Sequence, residues 1–227
     1  MKKIIIAIDG PAASGKSTTA RLVAERLGYL HIDTGAMYRA MALKVLRMNV
    51  SPEDTAFISH LAKSTTVRLV YDEGSKRKLG VELDGVIVNE EIRLPEVTNI
   101  VSPVSAVAEV RTLMVKEQRA MGNDGGIVLE GRDIGTVVFP NAELKIFMVA
   151  DAHERAIRRQ NEFALKNISV SLEKLEQEII ERDRYDSHRE MSPLSRAADA
   201  IELDTTNLTI EQQVEFIVNK AKEIING

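Results

Sequence analysis

The sequence predicts an α/β fold built around a five-stranded parallel sheet. The first observation is a set of five short apolar runs, most of them followed by a helical pattern. The runs are continuous rather than alternating, as is typical of strands that are covered on both faces. The second observation is that polar or glycine-rich residues follow the C-terminal end of every run, where open α/β sheets bind their ligands. The predicted strands are residues 3–8, 29–32, 126–129, 144–149 and 200–203.

Length and composition limit the class of protein. A chain of 227 residues is long enough for one sizeable core and predicts one principal domain. Its 30 basic and 34 acidic side chains give a net charge of -4, so it lacks the basic excess of a protein that binds nucleic acid. The sequence has no cysteine, which excludes disulfides and thiolate metal sites. We expect a cytoplasmic monomer with no nucleic-acid partner.

The first apolar run is too short to cross a membrane. It ends at Asp9, and no small-residue cleavage site follows it before Lys16. We therefore interpret this run as a buried strand and expect no membrane partner.

Three capping patterns predict where helices begin. Ser51 precedes Pro52, a residue type that suits the first position of a helix. Residues 151–154 and 209–212 have the spacing of a capping box.

Two stretches interrupt the rhythm of strands and helices. Within residues 67–88, Asp84-Gly85 is a two-residue hairpin signal and predicts a small antiparallel insertion. Residues 151–196 predict two helices with a break near residues 167–170, the second helix ending near Arg184.

The residues after the first predicted strand form a phosphate-binding motif. They match G-x-x-x-x-G-K-[ST] in full and stand between a strand and a helical pattern. Glycine lets backbone N–H groups turn toward phosphate oxygens, and the helix N-terminus favours negative charge. Lys16 can reach the β and γ phosphates, and Ser17 can ligate Mg²⁺. The predicted ATP-binding residues of this loop are Gly10, Pro11, Ala12, Ala13, Ser14, Gly15, Lys16, Ser17 and Thr18.

A phosphate-binding loop by itself is shared by kinases, molecular switches and motor ATPases. The sequence contains neither the Asp-x-x-Gly nor the Asn-Lys-x-Asp segment expected of a switch GTPase. A phosphoryl transferase needs a second anion pocket for its acceptor, and cations that follow the moving phosphoryl group. Three further segments offer candidates for both.

The first segment follows the second predicted strand. Thr34 can donate to an acceptor phosphate, and Arg39 can pair with that phosphate through its planar guanidinium. Alternatively, Asp33 or Thr34 only caps a helix and Arg39 is solvated. The residues alone leave both interpretations open.

The second segment, residues 130–135, and the third, residues 182–189, supply more charged side chains. Arg132, at the mouth of the parallel sheet, can bind phosphate, and Asp133 can orient it, accept from a substrate amine or hold metal-bound water. The alternative is a structural ion pair between these two neighbours. Arg182 and Arg189 share a face only if their helix continues, and otherwise flank a loop that can close over the phosphates. A solvated helix end is the alternative there.

Two groups of residues are candidates for contacting adenine. Arg155, Arg158 and Arg159 share one helical face, and the loop of residues 205–207 is the other candidate.

Four segments together resemble one family closely. They are residues 8–18, Asp33-Thr34-Gly35-Ala36-Met37-Tyr38-Arg39, Glu130-Gly131-Arg132-Asp133-Ile134-Gly135-Thr136-Val137-Val138-Phe139-Pro140, and residues 181–189. Over essentially its whole length the chain resembles the bacterial cytidylate kinases, which make CDP or dCDP from CMP or dCMP and ATP. Residues 33–39 and 130–140 are specific to that family, whereas the phosphate loop is shared with many enzymes. Residues 74–78 are the least characteristic stretch.

The resemblance implies roles for individual residues. Ser102, Arg111 and Asp133 are implied to read cytosine or its surroundings, and Asp186 to contact the ribose. The full set implied to bind CMP is Thr34, Arg39, Ser102, Arg111, Arg132, Asp133, Arg182, Asp186 and Arg189. The expected catalytic residues are Lys16, Arg132, Arg182 and Arg189, and Arg159 is expected to join the ATP-binding residues. The expected cofactor is Mg²⁺, with Ser17 as a ligand and Asp33 acting through a water.

The resemblance also implies the architecture and the reaction. It implies a P-loop three-layer fold over residues 1–227, with a CMP-binding insertion at about 40–98 and a mobile helical lid at about 152–192. The expected reaction is direct transfer of the γ-phosphoryl group of ATP to CMP or dCMP. Two alternatives remain: a kinase for another small acceptor such as UMP, AMP or an alcohol, and a regulatory module that binds ATP without transfer.

Overall fold

The computed structural model describes residues 2–72, 75–165 and 167–227, with their side chains except those of residues 71–78. None of the helices in these ranges has the length and apolar character needed to cross a bilayer. A 3₁₀ turn lies at Glu91–Arg93 and a π-helical turn at Ile134–Val138. The other elements are, in chain order, β1 (Ile5–Asp9), α1 (Lys16–Leu27), β2 (Leu30–Asp33), α2 (Thr34–Arg47), α3 (Thr55–Lys63), β3 (Val67–Asp72), β4 (Ser75–Leu83), β5 (Val86–Ile87), α4 (Pro95–Ala106), α5 (Ala108–Met121), β6 (Ile127–Gly131), β7 (Leu144–Val149), α6 (Ala152–Ala164), α7 (Leu172–His188), β8 (Ile201–Asp204) and α8 (Ile210–Asn226).

The predicted five-stranded parallel sheet is confirmed, with the strand order β2-β6-β1-β7-β8. Ile6 and Ile8 of the central strand β1 pack into a core shared with α1 and α8, and Ala7 belongs to a core on the opposite face. Burial on both faces explains why the strand is continuously apolar. Because the strands are parallel, their carboxyl ends meet at one edge, where Asp9 pairs in register with Gly131.

Two of the three predicted helix starts are confirmed. Asp151 caps α6 by accepting the His153 N–H at 2.8 Å, and Thr209 begins α8 with a complete capping box. The prediction at Ser51 is wrong, because α3 begins at Thr55 and is capped by Asp54. Residues 51–54 form a turn instead, and it is the Asp54 carboxylate that reaches the free N–H groups of the first helical turn.

The predicted antiparallel insertion is a three-stranded sheet of order β3-β4-β5. The hairpin prediction is confirmed, because Leu83 pairs with Val86 and both Asp84 and Gly85 have positive φ values, of 50° and 85°. Such a turn matches the right-handed twist of the flanking strands. Gly74 and the side chains of residues 75–78, in the least characteristic stretch, lie outside the description. Helices α2 to α5 share one apolar core with this small sheet. The core includes Met37, Met41, Ile58, Val81, Val97 and Val110.

The predicted pair of helices after β7 is confirmed as α6 and α7, which pack through Ala156, Leu175 and Ile179. A break separates them, and Ser171 caps the second helix. The predicted end near Arg184 is wrong, because α7 continues to His188. Its last turn is stabilised by the buried side chain of Asp186, which forms an ion pair with another part of the chain.

Candidate active site

The phosphate-binding loop, residues 10–15, connects β1 to α1 at the carboxyl edge of the parallel sheet. Gly10, Ala13 and Gly15 have φ values of 151°, 57° and 92°. Gly10 also has no room for a side chain, because an added Cβ would lie 2.2 Å from the carbonyl oxygen of Met148 on β7. Backbone angle and space therefore both require glycine at the start of the loop.

The Lys16 side chain folds back over this loop and is buried. Its Nζ donates to the carbonyl oxygen of Pro11 at 2.5 Å and to Ser14 Oγ at 3.2 Å. Burial holds the pKa of Lys16 well below its usual value, and the nearby positive charge of Arg132 acts in the same direction. An anion bound at the loop would raise this pKa and stabilise the ammonium.

Two buried carboxylates lie behind the loop, at the ends of adjacent strands. Glu130 Oε2 accepts from Ser17 Oγ at 2.5 Å, and Glu130 Oε1 lies 3.0 Å from His31 Nε2. Asp9 accepts the N–H groups of Ile134 and its successor at 2.8 and 2.7 Å. Burial raises the pKa of Asp9 to about 6, although these two N–H groups oppose the change. Asp9 thereby anchors the π-helical turn to the sheet.

The oxygens of Ser17 and Glu130 fit a magnesium ion. Mg²⁺ prefers oxygen ligands and keeps several waters, so one or two protein oxygens beside substrate phosphates suffice. In the part of the chain that the structure describes, no group of three or more His, Cys, Asp or Glu side chains could hold a metal ion. Asp33 has both oxygens engaged, by the Ala36 N–H at 3.0 Å and by Arg39 at 2.8 Å. Glu130, rather than Asp33, is the carboxylate that contacts the predicted ligand Ser17.

The start of α2 is held by contacts of Asp33, Thr34 and Arg39. Asp33 is the helix cap, as the first alternative proposed. Thr34, which is buried, donates from Oγ1 to the carbonyl oxygen of Glu130 at 2.6 Å. Arg39 is held by Asp33, and its buried Nε has no hydrogen-bond partner among the described residues. Arg39 therefore donates to Asp33 through Nη2, while its Nε–H is available to donate to a bound group.

Arg111 and Asp133 form a buried ion pair between α5 and the segment that follows β6. Arg111 also donates to the carbonyl oxygen of Ser105 at 3.1 Å, and its guanidinium lies over the Tyr38 ring, 5.2 Å from the centroid. Ser105 in turn donates to the carbonyl oxygen of Ser102 at 2.9 Å. The structure therefore pairs Arg111 directly with Asp133 and links Arg111 to Ser102 only through Ser105.

Arg132 turns to a different partner from its neighbour Asp133. Its Nε lies 2.9 Å from Asp186 Oδ2, in the last turn of α7. The predicted alternative of an ion pair between Arg132 and Asp133 is therefore wrong. Burial would raise the pKa of Asp186, but Arg132 and Arg182 outweigh burial and hold that pKa below its ordinary value.

Arg182 lies in α7 and Arg189 directly follows it. Each is close to another arginine, Arg132 and Arg111 respectively. Burial lowers the pKa of Arg182 to about 10, and the charge of Arg132 adds to the decrease. Burial and the charge of Arg111 likewise lower the pKa of Arg189. Arg182 Nε and Arg189 Nη2 are buried without hydrogen-bond partners in the described ranges. Since Arg132 and Arg182 also lower the pKa of Lys16, these three predicted catalytic cations lie close together. Arg189, the fourth, joins them through Asp186, whose pKa is lowered by Arg132, Arg182 and Arg189 alike.

Arg155 joins α6 and α7 to the phosphate loop. Its Nη1 lies 2.6 Å from Asp183 Oδ2 and donates to the carbonyl oxygen of Ala12 at 3.2 Å. The residue is almost fully buried. Arg155 is thus a structural contact between the helices and the loop, rather than a free candidate for contacting adenine.

The other two arginines of the same helical face behave differently from each other. Arg158 donates to the carbonyl oxygen of Thr205 at 2.5 Å, and the Thr205 hydroxyl donates to the carbonyl oxygen of Ser14 at 3.1 Å. Arg159 is partly exposed and lies over the Phe163 ring, 4.8 Å from its centroid. Of the three arginines, Arg159 keeps a guanidinium that is not bonded to the phosphate loop or to Thr205.

Ser17 and Thr18 lie in the first turn of α1 with exposed side chains.

The sequence pattern did not indicate the roles of Asp9, Glu130 and Arg155. A signal for the first two was present, because each is a charged residue at the C-terminal end of a predicted strand. No local pattern could show that Arg155 bonds to a loop more than one hundred residues earlier, because that contact depends on how α6 packs.

Comparison with known proteins relates this chain to one family. A family model described as "Cytidylate kinase" matches residues 6–223. Curated cytidylate kinases from Ligilactobacillus salivarius, Chloroherpeton thalassium and Streptococcus sanguinis are 48%, 52% and 50% identical to the chain. These alignments cover 98%, 99% and 100% of this chain, and 98%, 96% and 100% of the respective relatives.

Solved structures with low sequence identity share the fold. A shikimate kinase from Bacteroides thetaiotaomicron has a TM-score of 0.51 at 11% identity, covering 100% of both chains. An uncharacterized protein from Eubacterium ventriosum has a TM-score of 0.54 at 14% identity, covering 98% of this chain and 99% of its own. These likenesses support the P-loop α/β fold, and the sequence matches identify the family. The chain belongs to the cytidylate kinase family.

Proposed function

We propose that this chain transfers the γ-phosphoryl group of ATP to CMP or dCMP, giving ADP and CDP or dCDP. The observation that carries the proposal is the group of cations that includes Lys16 at the phosphate loop, together with Arg132 and Arg182. Arg189 connects this group to the buried Arg111–Asp133 pair. A donor site and an acceptor site joined by cations are what phosphoryl transfer requires.

The donor side uses the loop and its lysine. Backbone N–H groups of residues 10–15 and the N-terminus of α1 would bind the phosphates of ATP, and Lys16 would move from Pro11 to the β and γ phosphates. The partly exposed guanidinium of Arg159 would contribute from α6. Bound Mg²⁺ would neutralise phosphate charge, with Ser17 as ligand and Glu130 orienting Ser17 or a bound water.

The transfer itself needs no covalent enzyme intermediate. An oxygen of the acceptor phosphate attacks the γ-phosphorus while the bond from that phosphorus to the β–γ bridging oxygen breaks, and ADP leaves. The attacking oxygen is already anionic near neutral pH, so no general base is required. The chain contributes position and positive charge, from Lys16, Arg132, Arg182 and Arg189. The unpartnered N–H groups of Arg182 and Arg189 would then find phosphate oxygens.

The acceptor side combines an anion site with a base-reading pair. Thr34 and Arg39 would bind the acceptor phosphate, and Asp186 would contact the ribose. The Asp133 carboxylate can accept from the exocyclic amine of cytosine, whereas uracil presents a carbonyl oxygen at that position and would be repelled. Arg111 and Ser102 would complete the contacts with the base.

We further propose that residues of about 40–98 act as the acceptor-binding insertion and residues of about 152–192 as a lid over the phosphates. The shared core of α2 to α5 and the packing of α6 on α7 support this division. We also propose that the chain acts as a monomer, with the donor and acceptor residues of one chain completing the site. The lack of cysteine and the nucleotide substrates support action in the cytoplasm.

A panel of acceptors with ATP and Mg²⁺ tests the proposal. ADP release would be followed in a coupled assay with CMP, dCMP, UMP, AMP and a small alcohol, and the products identified by chromatography. We expect kcat/KM for CMP or dCMP to exceed that for UMP by roughly 100-fold, because the wrong base leaves buried polar groups unpaired. A clear preference for UMP, AMP or the alcohol would overturn the choice of acceptor. ATP binding without turnover of any acceptor would establish a regulatory module instead.

A further inference from the structure

A glutamine occupies a fully buried position on the same face of α5 as Arg111. Gln118 shares this face with Val110 and Met114, and it is 0% exposed. Both polar atoms of its carboxamide lack a hydrogen-bond partner among the described residues. Buried polar groups are normally paired, and an unpaired amide costs free energy of folding. The position therefore suits an apolar side chain better than glutamine.

The Tyr38 hydroxyl, from α2, is buried beside this glutamine and has no hydrogen-bond partner in the described part of the chain. Burial raises the pKa of Tyr38 to about 12, whereas the charge of Arg111 and the Gln118 carboxamide act to lower it. The two polar groups are thus close enough for the carboxamide to act on the hydroxyl, although neither has a hydrogen bond of normal geometry among the described residues.

These two residues adjoin the pair proposed to read the base. The Tyr38 ring lies under the Arg111 guanidinium, and Arg111 bonds to Asp133. Arg119 holds the same stretch of α5 against the π-helical turn after Asp133, donating to the carbonyl oxygens of Val137 and Val138 at 2.7 and 3.0 Å. Gln118 therefore lies between two arginines that bond α5 to the residues after β6.

The unpaired groups are chemically complementary. Gln118 Oε1 is an acceptor, whereas the Tyr38 hydroxyl and Arg111 Nε, which is also buried without a partner within the described ranges, are donors. The Tyr38 hydroxyl and the Gln118 carboxamide already interact, so a small rotation would allow this donor and this acceptor to pair. A polar group kept at a cost in stability is typical of functional sites.

We propose that Gln118 is a positioning residue for acceptor recognition, which with the Tyr38 hydroxyl orients Arg111, and through it Asp133, against the pyrimidine base. This inference rests on the proposed function, because it concerns recognition of cytosine. In this proposal Gln118 acts through Arg111 and is assigned no contact with the substrate.

The test compares Gln118→Met and Tyr38→Phe with the wild-type chain. Methionine keeps the size of glutamine without its hydrogen-bonding groups, and phenylalanine removes only the hydroxyl. For both variants we expect KM for CMP to rise roughly 10-fold, equivalent to about 1.4 kcal/mol of binding free energy, and the preference for CMP over UMP to fall. We expect kcat at saturating CMP and KM for ATP to change by less than about 2-fold.

Thermal stability separates positioning from a structural role. Removing an unpaired buried carboxamide should leave the Tm unchanged or raise it, whereas loss of a structural glutamine would lower it. The matched control is Gln213→Met on α8, since Gln213 is buried but accepts from Thr19 Oγ1 at 2.7 Å and donates to the carbonyl oxygen of Leu208 at 3.1 Å. We expect this control to lower the Tm and leave KM for CMP unchanged.

The outcomes distinguish this inference from the proposed function. A folded Gln118→Met variant with unchanged KM for CMP and unchanged preference over UMP would overturn the inference while the function stands. If Gln118→Met fails to fold, Tyr38→Phe decides by the same two measurements. A wild-type chain that does not phosphorylate CMP would overturn both.

Discussion

Arg132 Nε lies 2.9 Å from Asp186 Oδ2, so the end of β6 is bonded to the last turn of α7. Asp133, the next residue, pairs instead with Arg111 of α5. Two adjacent residues therefore hold two different helices at the same edge of the sheet. This arrangement places the cation of Arg132 near Lys16 of the phosphate loop and in contact with Asp186.

Replacing Lys16 with alanine should abolish most of the activity and leave the fold intact. We expect kcat/KM to fall by about 10²–10³-fold, because the variant loses a charge directed at the transferring phosphoryl group. The Tm should be unchanged or higher, since burial disfavours the lysine charge. Coupled ADP-release kinetics and thermal melting measure the two effects. Lys220→Ala, in an exposed pair on α8, is the control that should change neither, and near-normal turnover of Lys16→Ala would contradict its assigned role.

Replacing Arg182 with alanine should likewise reduce turnover far more than stability. We expect a loss of about 10²–10³-fold in kcat, because Arg182 would contact the transferring group. Burial and repulsion by Arg132 already disfavour the charge of Arg182, so removing that charge relieves a cost in the folded state. Arg182→Lys should give intermediate activity in the same assay, because it keeps the charge without the planar guanidinium. Full activity of the alanine variant would refute this role.

The Arg132–Asp186 pair should make stability depend on pH. The pKa of Asp186 is held below its ordinary value of 3.8, so its carboxylate stabilises the fold above that value and loses this effect as the pH falls through the lowered pKa. We expect Asp186→Asn to be less stable than the wild type by about 2 kcal/mol at neutral pH. Melting curves of the two proteins should converge at acidic pH below 3.8. A difference that stays constant over the whole pH range would show that the charge of Asp186 is irrelevant to stability.

A methyl group at the start of the phosphate loop should damage the fold itself. In Gly10→Ala the new Cβ would lie 2.2 Å from the Met148 carbonyl oxygen, at a φ of 151°. We expect a loss of about 3 kcal/mol or more in the free energy of unfolding, measured by chemical denaturation. Gly85→Ala has a positive φ but open space around the new methyl group, so it should cost only about 1 kcal/mol. Equal losses in the two variants would mean that the contact with Met148 does not matter.

Local patterns in the sequence predicted the elements of the fold well. Continuous apolar runs identified all five parallel strands to within two residues, and Asp84-Gly85 identified the hairpin. The failures were at helix ends. Asp54 rather than Ser51 caps α3, and α7 runs beyond Arg184, because tertiary contacts such as that of Asp186 extend the last turn.

The sequence by itself determined the phosphate loop, the strands that position it and the family to which the chain belongs. These features depend on residue types at short spacings, which set backbone angles and burial. Only the tertiary structure decided the partners: Glu130 contacts Ser17, Arg111 pairs with Asp133, and Arg132 reaches Asp186. Such pairs join residues far apart in the chain, and their formation depends on how whole helices pack against the sheet.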